Sequence, residues 1–506
     1  MKVGSRMHMS EFSQTFAGRW HRVCSMNTLD PHICYAAFIA RDRRFDGWFF
    51  MGVSSTGIYC RPMCPVRAPQ ARNCTFYTSA AAAERAGFRP CLRCRPELAP
   101  GNGLLDVSSR LAQAAARLIE EGFLSGRSLD DLAGRVGVTS RHLRRIFESE
   151  FGVTMIEFAQ TQRLLIAKRL LTDTGLSMTE VALAAGFGSV RRFNDVFQSR
   201  YGLNPLRLRK ATHVPGAATM RFELSYRPPF SWSGVLEFLA HRCIQGVEQV
   251  SDDTYSRAIE FEHAGQRLAG WLTVTHAPQR HALVVTVSSS LQSGIAQVLA
   301  RVRRVFDTGC RPDLVDAHLG PLVADLPGMR VPGAFDGFEI AVRAVAGQQI
   351  SVLNARAILG RIAERFGSAV SDAPAGLHHT FPDAQAIARL DPEQLIGAGL
   401  IRIRAEAIIA VAREVAAGRI ILEPLVPLDE TLTALRHIRG VGEWTVQYIA
   451  MRALGWPNAF PEGDAVLKKH LGCATTAQLN EHASQWAPWR AYATVHVWRQ
   501  REEARK

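Results

Sequence analysis

Four cysteines in two pairs place the strongest constraint on how this chain can fold. Cys60 and Cys64 are separated by three residues, Cys91 and Cys94 by two, and 26 residues lie between the pairs. Zinc prefers tetrahedral thiolate ligation, and two such pairs can each reach one ion from a single turn. The spacing therefore predicts one Zn²⁺ per chain. Sites with four sulfur ligands are normally closed and structural, so the spacing leaves open whether one cysteine also reacts.

Length and cysteine usage indicate a multidomain protein of the cytoplasm. The chain has 506 residues, enough for three or four domains. It contains no apolar run near the roughly 18–20 residues that span a bilayer. The clustered cysteines and the lack of an export signal favour metal ligation over disulfides. We expect the remaining cysteines to be buried apolar side chains: Cys24, Cys34, Cys74, Cys243, Cys310 and Cys473.

The N-terminal residues 1–30 are basic and lack the apolar middle of a signal peptide. We expect them to form a flexible leader. Met1 and Met26 both stay open as the translation start.

The net charge of +14 is concentrated in the first part of the chain. Residues 1–210 contain 30 lysines and arginines against 17 aspartates and glutamates, whereas residues 211–506 contain 30 against 29. A basic half joined to a near-neutral half indicates contact with a polyanion, and DNA is the leading candidate. The alternative is a basic surface without a partner.

An internal repeat supports DNA. The sequence "SLDDLAGRVGVTSRHLRRIFESEFG" is echoed 49 residues later by "SMTEVALAAGFGSVRRFNDVFQSRYG". Each copy predicts a capping box, a glycine turn and a second helix with its own cap. The predicted boxes are Ser128 with Asp131 and Ser177 with Glu180, the turns Gly137 and Gly186, and the second caps Ser140 and Ser189.

The second helix of each copy carries arginines, as in a helix-turn-helix that presents Arg to the major groove. These are Arg141, Arg144, Arg145, Arg191 and Arg192. The pair of motifs resembles the AraC-type DNA-binding domain, in which two such motifs meet adjacent turns of the groove.

The residues around the four cysteines narrow the question of their role. The stretches "STGIYCRPMCPVRAPQARNCTFY" and "AGFRPCLRC" resemble the N-terminal domain of Ada-type DNA repair proteins. In that family the first cysteine of the cluster is both a zinc ligand and the acceptor of a methyl group from a DNA methylphosphotriester. The resemblance assigns this role to Cys60, with Cys64, Cys91 and Cys94 as the remaining ligands.

The chemistry of such a site is coherent. A metal-bound Cys60 stays deprotonated and is therefore a nucleophile, and a methylphosphotriester carries no negative charge to repel it. Methylation changes the net charge of a four-thiolate zinc site from −2 to −1, which weakens the repulsion of DNA phosphates. We therefore expect one methyl transfer per molecule that raises DNA affinity.

In the second half, the stretch "LRHIRGVGEWTVQYIAMRALGWPNAFPEGDAVLKKHLG" at 435–472 is the most specific. Gly440 and Gly442 lie between two predicted helices, where backbone N–H groups can bind a DNA phosphate. Asp464 precedes another helix, and an acidic residue there is usually an N-cap. Taken alone, each feature is weak.

With "YRPPFSWSGVLEFLAHR", "AVRAVAGQQISVLNAR" and "PWRAYATVHVW", these features resemble the helix-hairpin-helix DNA glycosylases, specifically the AlkA-type 3-methyladenine glycosylase II. The resemblance makes Asp464 the catalytic carboxylate, which stabilises positive charge on the deoxyribose and assists the attacking water. Aromatic faces attract cationic alkylated purines. The resemblance places four aromatic residues around the flipped base: Phe238, Trp444, Tyr448 and Trp498. Any one of them fits core packing equally well.

Several positions depart from relatives in this superfamily. Gln349 stands where a leucine commonly fills the gap left by the flipped base, and Ile350 follows it, so either residue is a candidate for that role. Trp444 replaces the Schiff-base lysine of bifunctional members, which predicts a hydrolase without strand cleavage. Arg439 adds a charge beside the hairpin, where a monovalent cation is also a candidate ligand. Only Cys473 lies near the C-terminus, so no iron–sulfur cluster is expected.

We therefore predict a multidomain α+β fold. A leader (1–30) precedes a small zinc-bound α/β domain (31–97), an all-α double helix-turn-helix domain (104–210), a β-rich AlkA-type subdomain (217–300) and an all-α helix-hairpin-helix glycosylase domain (301–500).

The expected function is a response to DNA alkylation that combines a methylphosphotriester sensor, a transcription regulator and an alkylbase glycosylase. The chain lacks the Pro-Cys-His-Arg motif of alkylguanine methyltransferases. Two alternatives stay open: a regulator with structural zinc and an inactive glycosylase half, or a glycosylase with an N-terminal DNA tether.

The expected partners are alkylated and promoter DNA, with RNA polymerase as a further candidate. We expect a bacterial, nucleoid-associated monomer without a membrane partner.

Overall fold

The computed structural model describes residues 29–100, 110–209, 218–424 and 427–503. The predicted leader lies outside these ranges except for its last two residues, as do Met26 and Cys24. The multidomain α+β organisation is confirmed, with two separate sheets among many helices. None of the described helices is both long and apolar enough to cross a bilayer.

The first unit is a four-stranded sheet with the strand order β3-β1-β2-β4 and two short helices. Strand β4 is parallel to β2, whereas β1 is antiparallel to β2 and β3. The elements are α1 (Pro31–Ile39), β1 (Phe50–Val53), β2 (Ile58–Cys60), β3 (Cys74–Tyr77), α2 (Ala80–Arg85) and β4 (Arg89–Pro90). Met51 pairs with Cys60, so the first cysteine of the cluster ends a hydrogen-bonded strand.

The second unit contains six helices that form the two predicted helix-turn-helix motifs. They are α3 (Arg110–Glu120), α4 (Leu129–Val136), α5 (Ser140–Phe151), α6 (Met155–Asp173), α7 (Met178–Ala184) and α8 (Val190–Tyr201). The long helix α6 joins the two motifs.

Both predicted capping boxes are present, at Ser128 and Ser177. The turns at Gly137 and Gly186 have φ of 82° and 81°, a left-handed conformation that glycine adopts without strain. Ser189 caps α8 as predicted. The predicted cap at Ser140 is wrong: Thr139 accepts the hydrogen bond from the His142 N–H, because the helix begins one residue earlier than the repeat suggests.

The third unit is a five-stranded antiparallel sheet with the strand order β5-β9-β8-β7-β6. Its elements are β5 (Thr219–Ser225), α9 (Trp232–Ala240), β6 (Glu248–Ser251), β7 (Thr254–His263), β8 (Gln266–Ala277) and β9 (Ala282–Ser288). Strand β9 is covered on both faces, since six of its seven residues are buried and only Thr286 is partly exposed, so its apolar residues do not simply alternate between core and solvent.

The remaining described chain is helical and contains twelve α-helices. They are α10 (Ile295–Val305), α11 (Pro312–Leu319), α12 (Gly337–Ala346), α13 (Val352–Phe366), α14 (Ala384–Ala388), α15 (Pro392–Ile396), α16 (Arg402–Ala416), α17 (Leu428–Arg436), α18 (Glu443–Arg452), α19 (Ala465–His470), α20 (Thr476–Ser484) and α21 (Arg490–Glu503). Helix α10 runs across the predicted domain boundary at residue 300.

The units are not packed as separate bodies. One apolar core runs from α6 through the second helix-turn-helix motif into the five-stranded sheet and the helices that follow. Polar contacts join the units as well. Lys168 pairs with Glu97 at 2.6 Å, Arg135 with Glu423 at 2.7 Å, and the Arg227 guanidinium donates to the Asp46 carbonyl at 2.7 Å.

A buried carboxylate joins the first unit to the central helix and to the last helix of the helix-turn-helix unit. Glu84 on α2 accepts hydrogen bonds from the hydroxyls of Tyr59, Thr161 and Tyr201, at 3.2, 2.9 and 3.1 Å. Tyr59 directly precedes Cys60, Thr161 lies on α6 and Tyr201 ends α8. Burial raises the pKa of Glu84 to about 7, against the lowering effect of these three hydroxyls and of Arg200.

This carboxylate predicts a pH-dependent stability. Between its ordinary pKa of 4.5 and about 7, Glu84 is protonated in the folded chain and ionised in the unfolded chain, so stability falls as pH rises through this window. The difference amounts to about 3 kcal/mol. Glu84→Gln lacks the ionisable group, and thermal unfolding of the full chain should show its stability rising relative to wild type from pH 5 to pH 8.

Glu148→Gln provides the control, because Glu148 is exposed on α5 and has no role at this joint. Its unfolding temperature should follow the wild type across the same range. An unchanged difference between Glu84→Gln and wild type from pH 5 to pH 8 would contradict the assignment.

Candidate thiolate centre and candidate DNA-facing cleft

The structure brings the four predicted cysteines together. The Sγ atoms of Cys60, Cys64, Cys91 and Cys94 lie within 4.8 Å of one another, and all four residues are buried. Tetrahedral zinc with bonds of about 2.3 Å holds its sulfur ligands about 3.8 Å apart, a spacing compatible with this limit. The donor set and its spacing fit one Zn²⁺.

Backbone N–H groups distinguish Cys60 from two of the other sulfurs. The Arg61 N–H donates to Cys94 Sγ at 3.3 Å, and the Arg93 N–H donates to Cys91 Sγ at 3.4 Å. Within the described ranges, no backbone N–H donates to Cys60 Sγ. A hydrogen bond to a thiolate draws electron density away from sulfur, so Cys91 and Cys94 are weaker nucleophiles than Cys60. Burial does not distinguish them, because Cys60 is only 3% exposed.

A buried ion pair supports the loop that carries these ligands. The Arg61 guanidinium donates to the Asp46 carboxylate at 2.8 Å and to the Cys94 carbonyl at 3.1 Å. Both side chains are 3% exposed, so water cannot solvate either charge and each is compensated by its partner. The pair holds the Cys60 strand against the loop of Cys91 and Cys94.

The isolated cysteines are mostly unreactive thiols, as predicted. Cys34, Cys243 and Cys310 are buried, and burial raises the pKa of each thiol to about 12. Cys74 and Cys473 are only half-buried, so the prediction of burial is wrong for these two.

The predicted DNA-contacting arginines are all solvent-exposed. Arg141, Arg144 and Arg145 lie on α5, whereas Arg191 and Arg192 begin α8. Their neighbours Leu143 and Phe147 on α5, and Phe193 and Phe197 on α8, are buried. Each second helix therefore turns its apolar face inward and presents arginine outward, as the motif requires.

In the last unit, the predicted carboxylate lies in a cleft of about 310 Å³. Asp464 is the N-cap of α19, and its Oδ1 accepts from the N–H groups of Val466 and Leu467, both at 2.9 Å. Its Oδ2 accepts from Trp444 Nε1 at 2.8 Å. The cap role and the site role coincide: the helix start fixes the carboxylate at the cleft wall.

Three of the four predicted aromatic residues line this cleft. The rings of Trp444 and Tyr448 stack at 5.1 Å with an angle of 16°, and Tyr448 contacts Trp498 at 6.2 Å. The Tyr448 hydroxyl accepts from the Arg452 guanidinium at 2.8 Å. The sequence separation of Trp444 and Tyr448, four residues, places both on one face of α18.

The fourth aromatic residue does not line the cleft. The guanidinium of Arg242 lies 3.8 Å from the centre of the Phe238 ring and that of Arg452 lies 4.9 Å away, so two cationic side chains pack against this ring. Arg242 lines the cleft instead. Sequence patterns did not identify this arginine, because it lies two residues beyond the end of α9 (Trp232–Ala240), where the helical repeat no longer predicts the direction of a side chain.

The hairpin and the turn after α12 lie beside the cleft. Gly440 has φ of 91°, and a Cβ there would lie 2.9 Å from Ala407, so the close approach requires glycine. Open space surrounds Gly442, the N-cap of α18. Gln349 is exposed and has φ of 53°, whereas Ile350 is half-buried and lines the cleft.

Four family models match successive parts of the chain. They describe the metal binding domain of Ada (33–97), a helix-turn-helix domain (132–211), the AlkA N-terminal domain (221–336) and the HhH-GPD superfamily base excision DNA repair protein (342–482). These domains, together with the thiolate cluster and the cleft, define a DNA-binding repair protein.

Known relatives match the whole chain or one half of it. The probable bifunctional transcriptional activator/DNA repair enzyme AlkA of Mycobacterium tuberculosis is 37% identical over 481 residues, which are 92% of this chain and 95% of that protein. DNA-3-methyladenine glycosylase 2 of Escherichia coli is 35% identical, covering 55% of this chain and 96% of that protein. The bifunctional transcriptional activator/DNA repair enzyme Ada of Escherichia coli is 37% identical, covering 30% of this chain and 42% of that protein. The chain belongs to the family of bifunctional transcriptional activator/DNA repair enzymes of the AlkA type.

The thiolate cluster predicts one equivalent of zinc per chain. Cys64→Ser removes one sulfur ligand and should leave the chain with much less than one equivalent, measured by metal analysis after dialysis. Cys34→Ser is the matched control, since Cys34 is a buried cysteine of the same unit outside the cluster. Equal zinc contents in the two variants would contradict the site.

Proposed function

We propose that the first half of the chain senses DNA methylphosphotriesters through Cys60. The observation that carries this proposal is the match of residues 33–97 to the metal binding domain of Ada, in which Cys60 is the first cysteine of the cluster; the N–H donors to Cys91 and Cys94, which weaken those two sulfurs as nucleophiles, agree with it. Bound zinc supplies one property: it keeps its sulfur ligands deprotonated at neutral pH. The neutral triester is the form of a phosphate that an anionic sulfur can approach.

The proposed reaction is a single displacement. Cys60 Sγ attacks the methyl carbon and forms a carbon–sulfur bond, while the carbon–oxygen bond of the triester breaks. The phosphate oxygen leaves as the anion of an ordinary phosphodiester, so no proton is transferred. Cys60 becomes a neutral thioether, and the site loses one negative charge.

This loss of charge is the proposed signal. DNA affinity rises when a protein repels phosphates less, and the exposed arginines of α5 and α8 then supply the specific contacts. The joint at Glu84 connects the Cys60 strand, through Tyr59, to α6, which joins the two motifs, and to α8 of the second motif. The proposed methyl acceptor and the proposed promoter-binding helices are therefore connected by direct hydrogen bonds.

Mass spectrometry can test the acceptor directly. After incubation with methylated DNA, the wild-type chain should gain one methyl group on Cys60, and Cys60→Ser should gain none. Cys34→Ser, which leaves the cluster intact, should be methylated like wild type. A methyl group on Cys64, Cys91 or Cys94 in the wild type would refute the assignment of Cys60.

For the second half, the proposed activity is hydrolysis of the N-glycosidic bond of alkylated bases of the 3-methyladenine type. The flipped base enters the cleft among Trp444, Tyr448 and Trp498, whose faces favour electron-poor alkylated purines. The carboxylate of Asp464 faces the positive charge that develops on the deoxyribose. The bond from water oxygen to C1′ forms, the bond to the base nitrogen breaks, and the released water proton passes to Asp464 or solvent.

Two further features of this site are positioned to contact the DNA around the damaged base. The open space at Gly442 leaves the start of α18 accessible to a DNA phosphate. Exposed Gln349 supplies the group that hydrogen-bonds the unpaired partner base, while Ile350 forms the cleft wall. Trp444 has no amine, so a Schiff base with the sugar does not form at this position and the strand stays intact.

Asp464→Asn should lower the release of 7-methylguanine and 3-methyladenine from methylated DNA by at least about 100-fold, because it removes the charge that stabilises the transition state. Asp336→Asn is the matched control, since Asp336 also caps a helix of this unit but does not line the cleft. Asparagine caps helices as well as aspartate, so the control should retain full activity. Equal activities of the two variants would exclude a catalytic role for Asp464.

A further inference from the structure

One glutamine side chain connects the two turns that border the cleft. Gln348 is half-buried, and its Nε2 donates to the Gly440 carbonyl at 3.0 Å and to Thr445 Oγ1 at 2.8 Å. Gly440 belongs to the hairpin and Thr445 to the first turn of α18. Both amide protons of Gln348 are therefore used to hold the turn after α12 against the hairpin.

The residue that follows needs such support. Gln349 adopts φ of 53°, a left-handed conformation that non-glycine residues rarely occupy. Strained conformations of this kind persist only where the surrounding structure holds them. On the C-terminal side Ser351 caps α13 by accepting from the Asn354 N–H at 3.2 Å, and on the N-terminal side Gln348 supplies the anchor.

Gln348 also contacts the residue next to one of the aromatic side chains that line the cleft. Thr445 is 1% exposed and directly follows Trp444, whose Nε1 donates to Asp464 Oδ2 at 2.8 Å. A change in the position of Thr445 would therefore move the group that orients the carboxylate. Gln348 therefore connects the exposed Gln349 with the Trp444 region. It contacts neither the Asp464 carboxylate nor the cleft itself.

We propose that Gln348 is a positioning residue for base flipping. Its two hydrogen bonds fix the position of Gln349 relative to the hairpin. The hairpin can then bind the DNA phosphate while Gln349 displaces the base. Without them the turn relaxes from its strained conformation, and Gln349 no longer points at the gap in the duplex. This inference rests on the proposed glycosylase function.

The test uses the full chain with Asp464→Asn as background, which prevents base release during the measurement. The probe is a duplex with one 7-methylguanine beside a 2-aminopurine, whose fluorescence rises when its neighbour leaves the stack. Gln348→Met preserves the length and burial of the side chain and removes the donors. Gln297→Met is the matched control, since Gln297 is a half-buried glutamine of α10 away from the cleft.

We expect Gln348→Met to lower the fluorescence change about tenfold, as expected for the loss of a buried hydrogen-bonded anchor. Gln297→Met should match the background. Affinity for an undamaged duplex, measured by anisotropy, should be the same in all three proteins. The lost hydrogen bonds lower the unfolding temperature of Gln348→Met, but this protein should stay fully folded at the assay temperature. A full fluorescence change in Gln348→Met would overturn the proposal, and so would an equal loss of undamaged-DNA affinity or unfolding at the assay temperature, because either indicates a merely structural role.

Thr445→Val offers a second check, because it removes one of the two acceptors. The double variant with Gln348→Met should be no worse than Gln348→Met alone, since both changes break one connection. Additive losses would contradict the proposal. Base release by the otherwise wild-type chain on the same duplex is measured separately, so a chain that flips the base without releasing it would refute the proposed hydrolysis and leave the role of Gln348 intact.

Discussion

Asp46 connects the thiolate centre of the first unit with the third unit through buried polar contacts. Its carboxylate pairs with Arg61, whose backbone N–H donates to Cys94 Sγ, and its carbonyl accepts from Arg227 of the third unit. All of these groups are buried, and Arg227 is fully so. Removing one partner of a buried charge pair costs about 3–5 kcal/mol, because the other charge is left without compensation. The thiolate centre and the cleft-bearing half therefore share one polar joint.

In the cleft, too, single residues make two structural contacts each. Asp464 caps α19 with one oxygen and accepts from Trp444 with the other, so a single carboxylate is fixed both by a helix terminus and by an aromatic side chain. Arg452 holds the hydroxyl of Tyr448 and also covers Phe238. Each of these two lining residues is therefore held by a defined contact, Asp464 by the start of α19 and by Trp444, and Tyr448 by Arg452.

Sequence patterns predicted much of the local structure. The cysteine spacing identified all four members of the thiolate cluster, and the capping boxes at Ser128 and Ser177 fixed the starts of α4 and α7, because ligation and capping depend on residues a few positions apart. The errors also have local causes. Thr139 and Ser140 are both good caps, so the pattern did not choose between them. Phe238 lies on α9 and Arg242 lies in the turn after it, and the guanidinium groups of Arg242 and Arg452 contact the Phe238 ring, so Arg242 and not Phe238 borders the cleft.

By itself, the sequence determined the kinds of units and their order, since each is specified by short motifs with a physical requirement: thiolate pairs, capped helix pairs with outward arginine, and a glycine hairpin followed by a capping aspartate. Only the tertiary structure decided how the units join. The contacts of Glu84 with three hydroxyls, of Arg227 with the Asp46 carbonyl and of Gln348 with two turns connect residues that are 25 to 181 positions apart in the sequence. Such contacts depend on burial and on direction in space, and no periodicity along the chain encodes either.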